Sequence, residues 1–139
     1  MEGAGKGLET VGLMVALMTR SAQHQSVRIR DLEWLIFPPA ALGHVHIFRI
    51  DGQAAGYATW ANLSDEVADQ FLRRHPVRLT ETEWNSGENR WLIDLVIPPD
   101  YLAIAKEELD KLIFRGTSVS TLVMGNEDNP NSLKKVFWQ

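Results

Sequence analysis

Asp94 is the residue whose position most demands a chemical explanation. It interrupts Trp91-Leu92-Ile93-Asp94-Leu95-Val96-Ile97, an otherwise apolar run with the bulk of a strand buried on both faces. A carboxylate taken out of water without a partner is costly, or it takes up a proton. The run therefore predicts a donor for Asp94, such as His or Arg, or a place at a strand edge or cleft. A structural ion pair would meet that need as well as a catalytic one. His24 is the second such residue. It lies in Arg20-Ser21-Ala22-Gln23-His24-Gln25, and Ser21, three residues before it, faces the same side if the chain makes a helical turn there. An imidazole with an ordinary pKa near 6.5 suits proton transfer at neutral pH. A plain exposed loop histidine fits the same residues.

The other histidines carry less. His44 and His46 alternate in a strand-like run and share a face, but no third ligand accompanies them, so no metal site is expected. His75 follows Arg73 and Arg74 at the end of a predicted helix, where positive charge complements the dipole. A Ser-His-Asp set can be assembled from Ser21, His24 and Asp94, yet no Gly-x-Ser-x-Gly elbow surrounds the serine. The phosphate loop of NTPases and the Gly-x-Gly-x-x-Gly fingerprint of dinucleotide enzymes are also missing.

The elements that must position these residues follow from local signals. Val11, Met14, Val15 and Met18 recur at helical spacing and predict a first helix ending near Arg20, after a loose glycine-rich tail over 1–7. Asp31 caps a second short helix through Leu35 to Phe37, which Pro38 and Pro39 stop or bend. His44 to Ile50 and Ala54 to Trp60 flank Asp51-Gly52-Gln53 and predict a β-hairpin. Ser64 caps a third helix, with Asp65 and Glu66 in its first turn and Pro76 as its stop. Asn85-Ser86-Gly87 is a turn before the strand that holds Asp94. Asp100 to Arg115 reads as a fourth helix with Gly116 at its end, Val119 to Met124 as a short strand, and Gly125 to Pro130 as a polar turn. The order helix, helix, hairpin, helix, strand, helix, strand is that of an α/β (α+β) domain.

Composition sets the outer limits. The sequence has 139 residues, 45% hydrophobic and 23% charged, enough for one domain with its own core. Without cysteine it has no disulfide, thiolate metal site or cysteine nucleophile. A formal net charge of -4 argues against a dedicated nucleic-acid binder. Gly12 to Met18 is apolar, but Glu2 and Glu9 intrude and no small-x-small cleavage site follows, so it reads as a buried helix of a cytoplasmic protein. No apolar run reaches the roughly 18 residues of a membrane span.

Three blocks taken together add a resemblance. Tyr57-Ala58-Thr59-Trp60-Ala61-Asn62-Leu63-Ser64, then Trp84-Asn85-Ser86-Gly87, then Trp91-Leu92-Ile93-Asp94, are similar in order and spacing to the toxin-activating lysine acyltransferases. These enzymes fatty-acylate internal lysines of RTX haemolysins. Ser21-x-x-His24 falls where that family has its catalytic Ser-x-x-His, and the likeness runs from about Glu9 to about Val123. Two segments depart from the family pattern: Ser21-Ala22-Gln23-His24 lacks the usual proline, and Ile97-Pro98-Pro99-Asp100 replaces an Ala-Pro-Phe-Gly-Asp-type stretch.

The resemblance implies a GNAT-like fold, a central mixed sheet with a β-hairpin and flanking helices. It implies His24 as the catalytic histidine, Asp94 as the essential carboxylate and Ser21 in support. It further implies acyl carrier protein as acyl donor, with no tightly bound cofactor, an RTX-type protoxin as substrate, and a homodimer, in which Trp138 packs across an interface or on its own core. Trp34, Phe37, Trp60 and Trp91 are candidates to line an acyl channel, and Arg20, Arg28 and Arg30 to dock an acidic carrier. Two other readings stay open: a CoA-using acyltransferase on another protein or a small amine, and a non-catalytic module that binds an acyl group or its carrier.

Overall fold

The computed structural model describes residues 2–123 and 134–138. Its frame is a mixed five-stranded sheet in the order β1-β2-β3-β4-β5, which is also chain order. β1 (Val45–Ile50), β2 (Gln53–Leu63) and β3 (Asn89–Val96) run antiparallel to one another. β4 (Val119–Val123) pairs parallel to β3, and β5 (Lys134–Trp138) returns antiparallel along β4. A parallel pair needs a crossover connection. Here it is α5 (Leu102–Leu109), entered by a 3-10 turn at Pro99–Tyr101 and continued by a π turn at Asp110–Phe114.

The hairpin forms where Asp51-Gly52 predicts it. Both residues have positive φ, 52° and 81°, the combination a tight two-residue turn requires, and Ile50 pairs with Gln53. β2 then runs on to Leu63, three residues past the expected end, because its second half pairs with β3. Ser64 caps α4 (Asp65–Gln70) as its sequence predicts, its side chain accepting from the Val67 amide at 3.1 Å.

The two motif blocks around this corner are bonded to each other. The amides of Ser86 and Gly87 both donate to the Asn62 carbonyl, at 2.7 and 3.1 Å, and the Ser86 hydroxyl accepts from the Ser64 amide at 3.0 Å. A Cβ at Gly87 would collide with the Ser64 backbone, so only glycine allows this approach.

Several expectations are corrected. The first helix, α1 (Glu2–Met18), begins at Glu2 instead of after a loose tail over 1–7. Pro38 and Pro39 do not only end a helix: α2 (Leu32–Leu35) stops, and α3 (Phe37–Leu42) starts with the prolines in its first turn, where no amide donor is needed. α4 gives way at Phe71–Arg73 to a 3-10 turn, so Arg74 and His75 lie beyond its last turn. Arg74 is turned instead to Glu83, with two 2.7 Å bonds. The α5 segment is broken where one continuous helix over Asp100 to Arg115 is expected, although Gly116, at φ 76°, does lie at its end. β5 has no counterpart in the sequence reading. Its Trp138 pairs by backbone with Val119. The Gly125 to Pro130 turn lies outside the described residues.

The helices cover both faces of the sheet. Met14, Leu17 and Met18 of α1 and Leu35 and Ile36 are buried against Tyr57 and Val96 on one face. Ala105, Leu109 and Phe114 are buried against Ala58, Trp60 and Leu92 on the other. Each buried Leu, Ile, Met or Phe among these stabilises the fold by about 1.5–3 kcal/mol relative to an exposed one, and each Ala by less.

A single irregularity in the sheet decides where Asp94 points. β2 and β3 pair Trp60 with Leu92 but Thr59 with Asp94, which leaves Ile93 as an extra residue on β3. Leu92 packs on the α5 side; strict alternation would send Asp94 there too. The bulge turns Asp94 to the α1 side, since bulges re-aim side chains.

Candidate active site

α1 ends at Met18, and the Ser21 amide still reaches back to the Met18 carbonyl at 3.0 Å. Ser21 then starts the 3-10 turn Ala22–His24, and the His24 amide donates to the Ser21 carbonyl at 3.1 Å. A 3-10 turn brings positions i and i+3 into line. The Ser21 hydroxyl accordingly lies 2.6 Å from His24 Nδ1. Gln25 holds the turn closed, its side-chain amide donating to the carbonyls of Thr19 at 2.9 Å and Ser21 at 3.2 Å.

The re-aimed Asp94 meets the other edge of the imidazole. His24 Nε2 is 2.8 Å from Oδ1 and 2.9 Å from Oδ2, and the two side chains are only 9% and 13% exposed. A carboxylate accepts, so the proton shared with Asp94 sits on Nε2. Nδ1 then keeps its lone pair, and the Ser21 hydroxyl donates to it. The Asp94 bond raises the His24 pKa from its usual 6.5; burial opposes this and the negative charge of Asp94 adds to it.

Tyr57 completes the cluster, and the sequence reading assigned it no role. It is fully buried on β2, and its hydroxyl donates to Asp94 Oδ2 at 2.8 Å. Burial first, then the neighbouring carboxylate, push the phenol pKa well up, so it stays protonated and a donor. A signal was available: a tyrosine within a buried strand must find an acceptor for its hydroxyl.

A cleft of about 220 Å3 opens beside His24. Val15 and Met18 of α1 and Val27, Ile29 and Leu32 of the following turns line it, with Arg28 also in its wall. The aromatic residues expected to form an acyl channel are not part of it. Trp60 and Trp91 are buried in the core, Trp60 edge-on to Phe114 and Trp91 edge-on to Phe71. Trp34 is packed partly buried at the core's margin, and Phe37 is half-exposed on α3. Arg20, Arg28 and Arg30 are exposed, and among the described residues none of them is in an ion pair.

His44 and His46 have separate partners. His44 Nδ1 meets the Trp60 carbonyl at 3.1 Å with its ring stacked on that indole, and burial lowers its pKa. His46 Nε2 lies 2.6 Å from Glu108. Among the described residues no group of three metal-ligating side chains occurs.

Residues 4–137 match the model of the RTX toxin acyltransferase family. Among curated proteins, the leukotoxin-activating lysine-acyltransferase of Aggregatibacter actinomycetemcomitans is 29% identical over 90 residues, 65% of this chain and 53% of that protein. The RTX-I toxin-activating lysine-acyltransferase of Actinobacillus pleuropneumoniae is 27% identical over 117 residues, 81% of this chain and 67% of that protein. A protein-lysine myristoyltransferase of Escherichia coli is 27% identical over 67% of this chain and 53% of its own. The chain thus spans about half to two thirds of the length of these relatives. In structure it is similar to the loading GNATL domain of CurA from Lyngbya majuscula, with a TM-score of 0.50 and 14% identity over 85% of this chain and 62% of that one. That likeness concerns the fold, which is GNAT-like: a mixed sheet with helices on both faces. With the family match covering nearly the whole sequence, the chain belongs to the RTX toxin acyltransferase family.

Proposed function

We propose that this chain is a protein-lysine N-acyltransferase that moves a fatty acyl group from acyl carrier protein to the ε-amine of internal lysines of an RTX-type protoxin in the cytoplasm, working as a homodimer. The observation that carries the reading is the partly buried chain of hydrogen bonds from Ser21 through His24 to Asp94 and Tyr57. The names of the relatives support the reaction class, and the exposed Arg20, Arg28 and Arg30 give an acidic carrier a place to dock.

The chemistry needs a base. A lysine amine with pKa about 10.4 is unprotonated in only about one molecule in several thousand at pH 7. Attack on the thioester carbonyl forms the C–N bond, the C–S bond breaks, and one proton must travel from the amine to the departing thiolate. His24 accepts that proton at Nδ1, either directly or through the Ser21 hydroxyl already bonded there, and returns it to sulfur. Asp94 fixes the tautomer and stabilises the imidazolium while the proton is held. The same lone pair also suits a brief acyl-imidazole.

The test is transfer of labelled acyl groups from acyl carrier protein to a lysine-bearing RTX-type protein, with His24→Ala and Asp94→Ala alongside. Amide-linked label from the unaltered chain, lost in both variants, is expected. Transfer that persists in His24→Ala would sink this mechanism, and transfer from acyl-CoA but not from the carrier would move the donor assignment to CoA.

A further inference from the structure

The cleft beside His24 is walled mainly by aliphatic side chains. We infer that it holds the acyl chain of the donor and that Val15, in its wall, limits the length of chain it takes. This rests on the acyltransferase reading and adds the place where the apolar part of the substrate lies.

Two substrates must meet at His24, and they differ in what they ask of a surface. The acceptor lysine is an ammonium ion most of the time at neutral pH. The acyl chain is purely apolar. Five aliphatic side chains line the cleft, no carboxylate does, and its one full charge is the guanidinium of Arg28. A lysine entering here would lose water and meet a like charge, with only the neutral polar groups of Thr19, Gln25 and His24 to replace what it lost. An acyl chain instead gains up to about fourfold in affinity for each methylene buried. Arg28 is exposed, so it stands at the rim, where it suits an anionic carrier whose chain has gone in. Ile29, 88% exposed, is an aliphatic side chain that the core does not use, and it forms the lip of the same cleft.

Size turns this into a number. A cavity of about 150 Å3 takes up the six carbons of benzene, so about nine carbons fit on the same scale in the 220 Å3 here. Val15 is half-buried on α1 and lines the cleft together with Met18 and Leu32, so a larger side chain there takes the place of ligand carbons.

The experiment measures binding of a ladder of non-transferable S-alkyl thioethers of acyl carrier protein, from butyl to hexadecyl, to the full chain. Affinity is expected to rise with each added carbon and to level off near nine. In Val15→Phe the plateau moves to shorter chains by about four carbons, the number its ring adds over valine. Ile29→Ser, an exposed change that leaves folding intact, weakens the longest thioethers severalfold and leaves butyl unchanged. Circular dichroism and melting establish that each variant is folded.

A ladder with no dependence on length, an unmoved plateau in folded Val15→Phe, or undiminished binding of the longest thioethers by folded Ile29→Ser overturns the inference while leaving the transferase reading untouched if acyl transfer continues. Weakened binding of a lysine peptide in place of the thioethers also overturns it and gives the cleft to the acceptor. The expected ladder without transfer to any amine would uphold the cleft and remove the proposed function.

Discussion

The hydroxyl of Tyr57 and the carboxylate of Asp94 meet diagonally across two strands, 2.8 Å apart, although the register pairs Asp94 with Thr59 and Tyr57 with Val96. The bulge at Ile93 makes this reach available, and Oδ2 serves the phenol and the imidazole together. Tyr57 thereby positions the carboxylate that positions His24, and it moderates how strongly that carboxylate pulls on the ring. Tyr57→Phe removes one donor and leaves the shape. Oδ2 is then no longer shared with a phenol, so the hydrogen bond to His24 strengthens and the imidazole pKa rises further. The acid limb of the pH–rate profile is expected to move to higher pH, with a stability loss of about 1–2 kcal/mol. A limb that stays put while activity falls would reduce Tyr57 to packing.

Asp94 raises the His24 pKa, and this sets the pH dependence of the unaltered protein. In the proposed mechanism the neutral imidazole is the working form, so activity is expected to rise with pH through a limb above 6.5. Stability has the opposite sense. A raised folded pKa stabilises fully below the unfolded value near 6.5, and that contribution fades as pH rises through the folded value. Titration of the His24 ring by NMR checks the shift directly. In Asp94→Asn the cause is gone and burial alone remains, so the ring titrates below 6.5 and turnover drops by about 10²–10⁴-fold.

Arg74 and Glu83 form a two-pronged pair, both bonds 2.7 Å, beside the Trp84-Asn85-Ser86-Gly87 turn. The Arg74 guanidinium is the main reason that the Glu83 pKa is lowered to about 2, opposed by burial and helped by the Thr80 amide. The depressed value stabilises above the ordinary 4.5 and is lost as pH falls toward about 2. Glu83→Gln is expected to cost about 1–3 kcal/mol at pH 7 in urea unfolding and much less at pH 3.

Gly56 precedes Tyr57, and a Cβ there would run into the Val96 carbonyl. Gly56→Ala must therefore push β2 away from β3 beside the Tyr57–Asp94 bond. We expect a loss of about 1–3 kcal/mol together with a fall in turnover larger than any fall in substrate affinity. Gly52→Ala, far from the site in a turn at φ 81°, serves as the comparison: it costs stability without that fall in turnover.

Much of this molecule is legible locally. Asp51-Gly52 dictates its turn, Ser64 its cap, and Ser21 and His24 their meeting, because each depends on neighbours within a few residues. Asp94 announces a need for a partner, since a carboxylate in an apolar strand must be satisfied. What the sequence alone does not reveal is set by pairings far apart along the chain. Regular alternation would place Asp94 beside Leu92 on the α5 face; only the register against β2 shows that Ile93 is extra and that Asp94 faces α1. Tyr57 joins the site across 37 residues and His24 across 70, distances over which no periodicity carries information. Pro38 and Pro39 read as a stop because isolated prolines break helices, whereas the packing of Ile36 and Ala40 rewards an immediate restart. Local side-chain chemistry indicates most of the elements and the need of Asp94 for a donor, and only the family resemblance pairs His24 with Asp94. The face on which that pair assembles, and the aliphatic cleft beside it, were decided by one bulge and by the packing of α1 over the sheet.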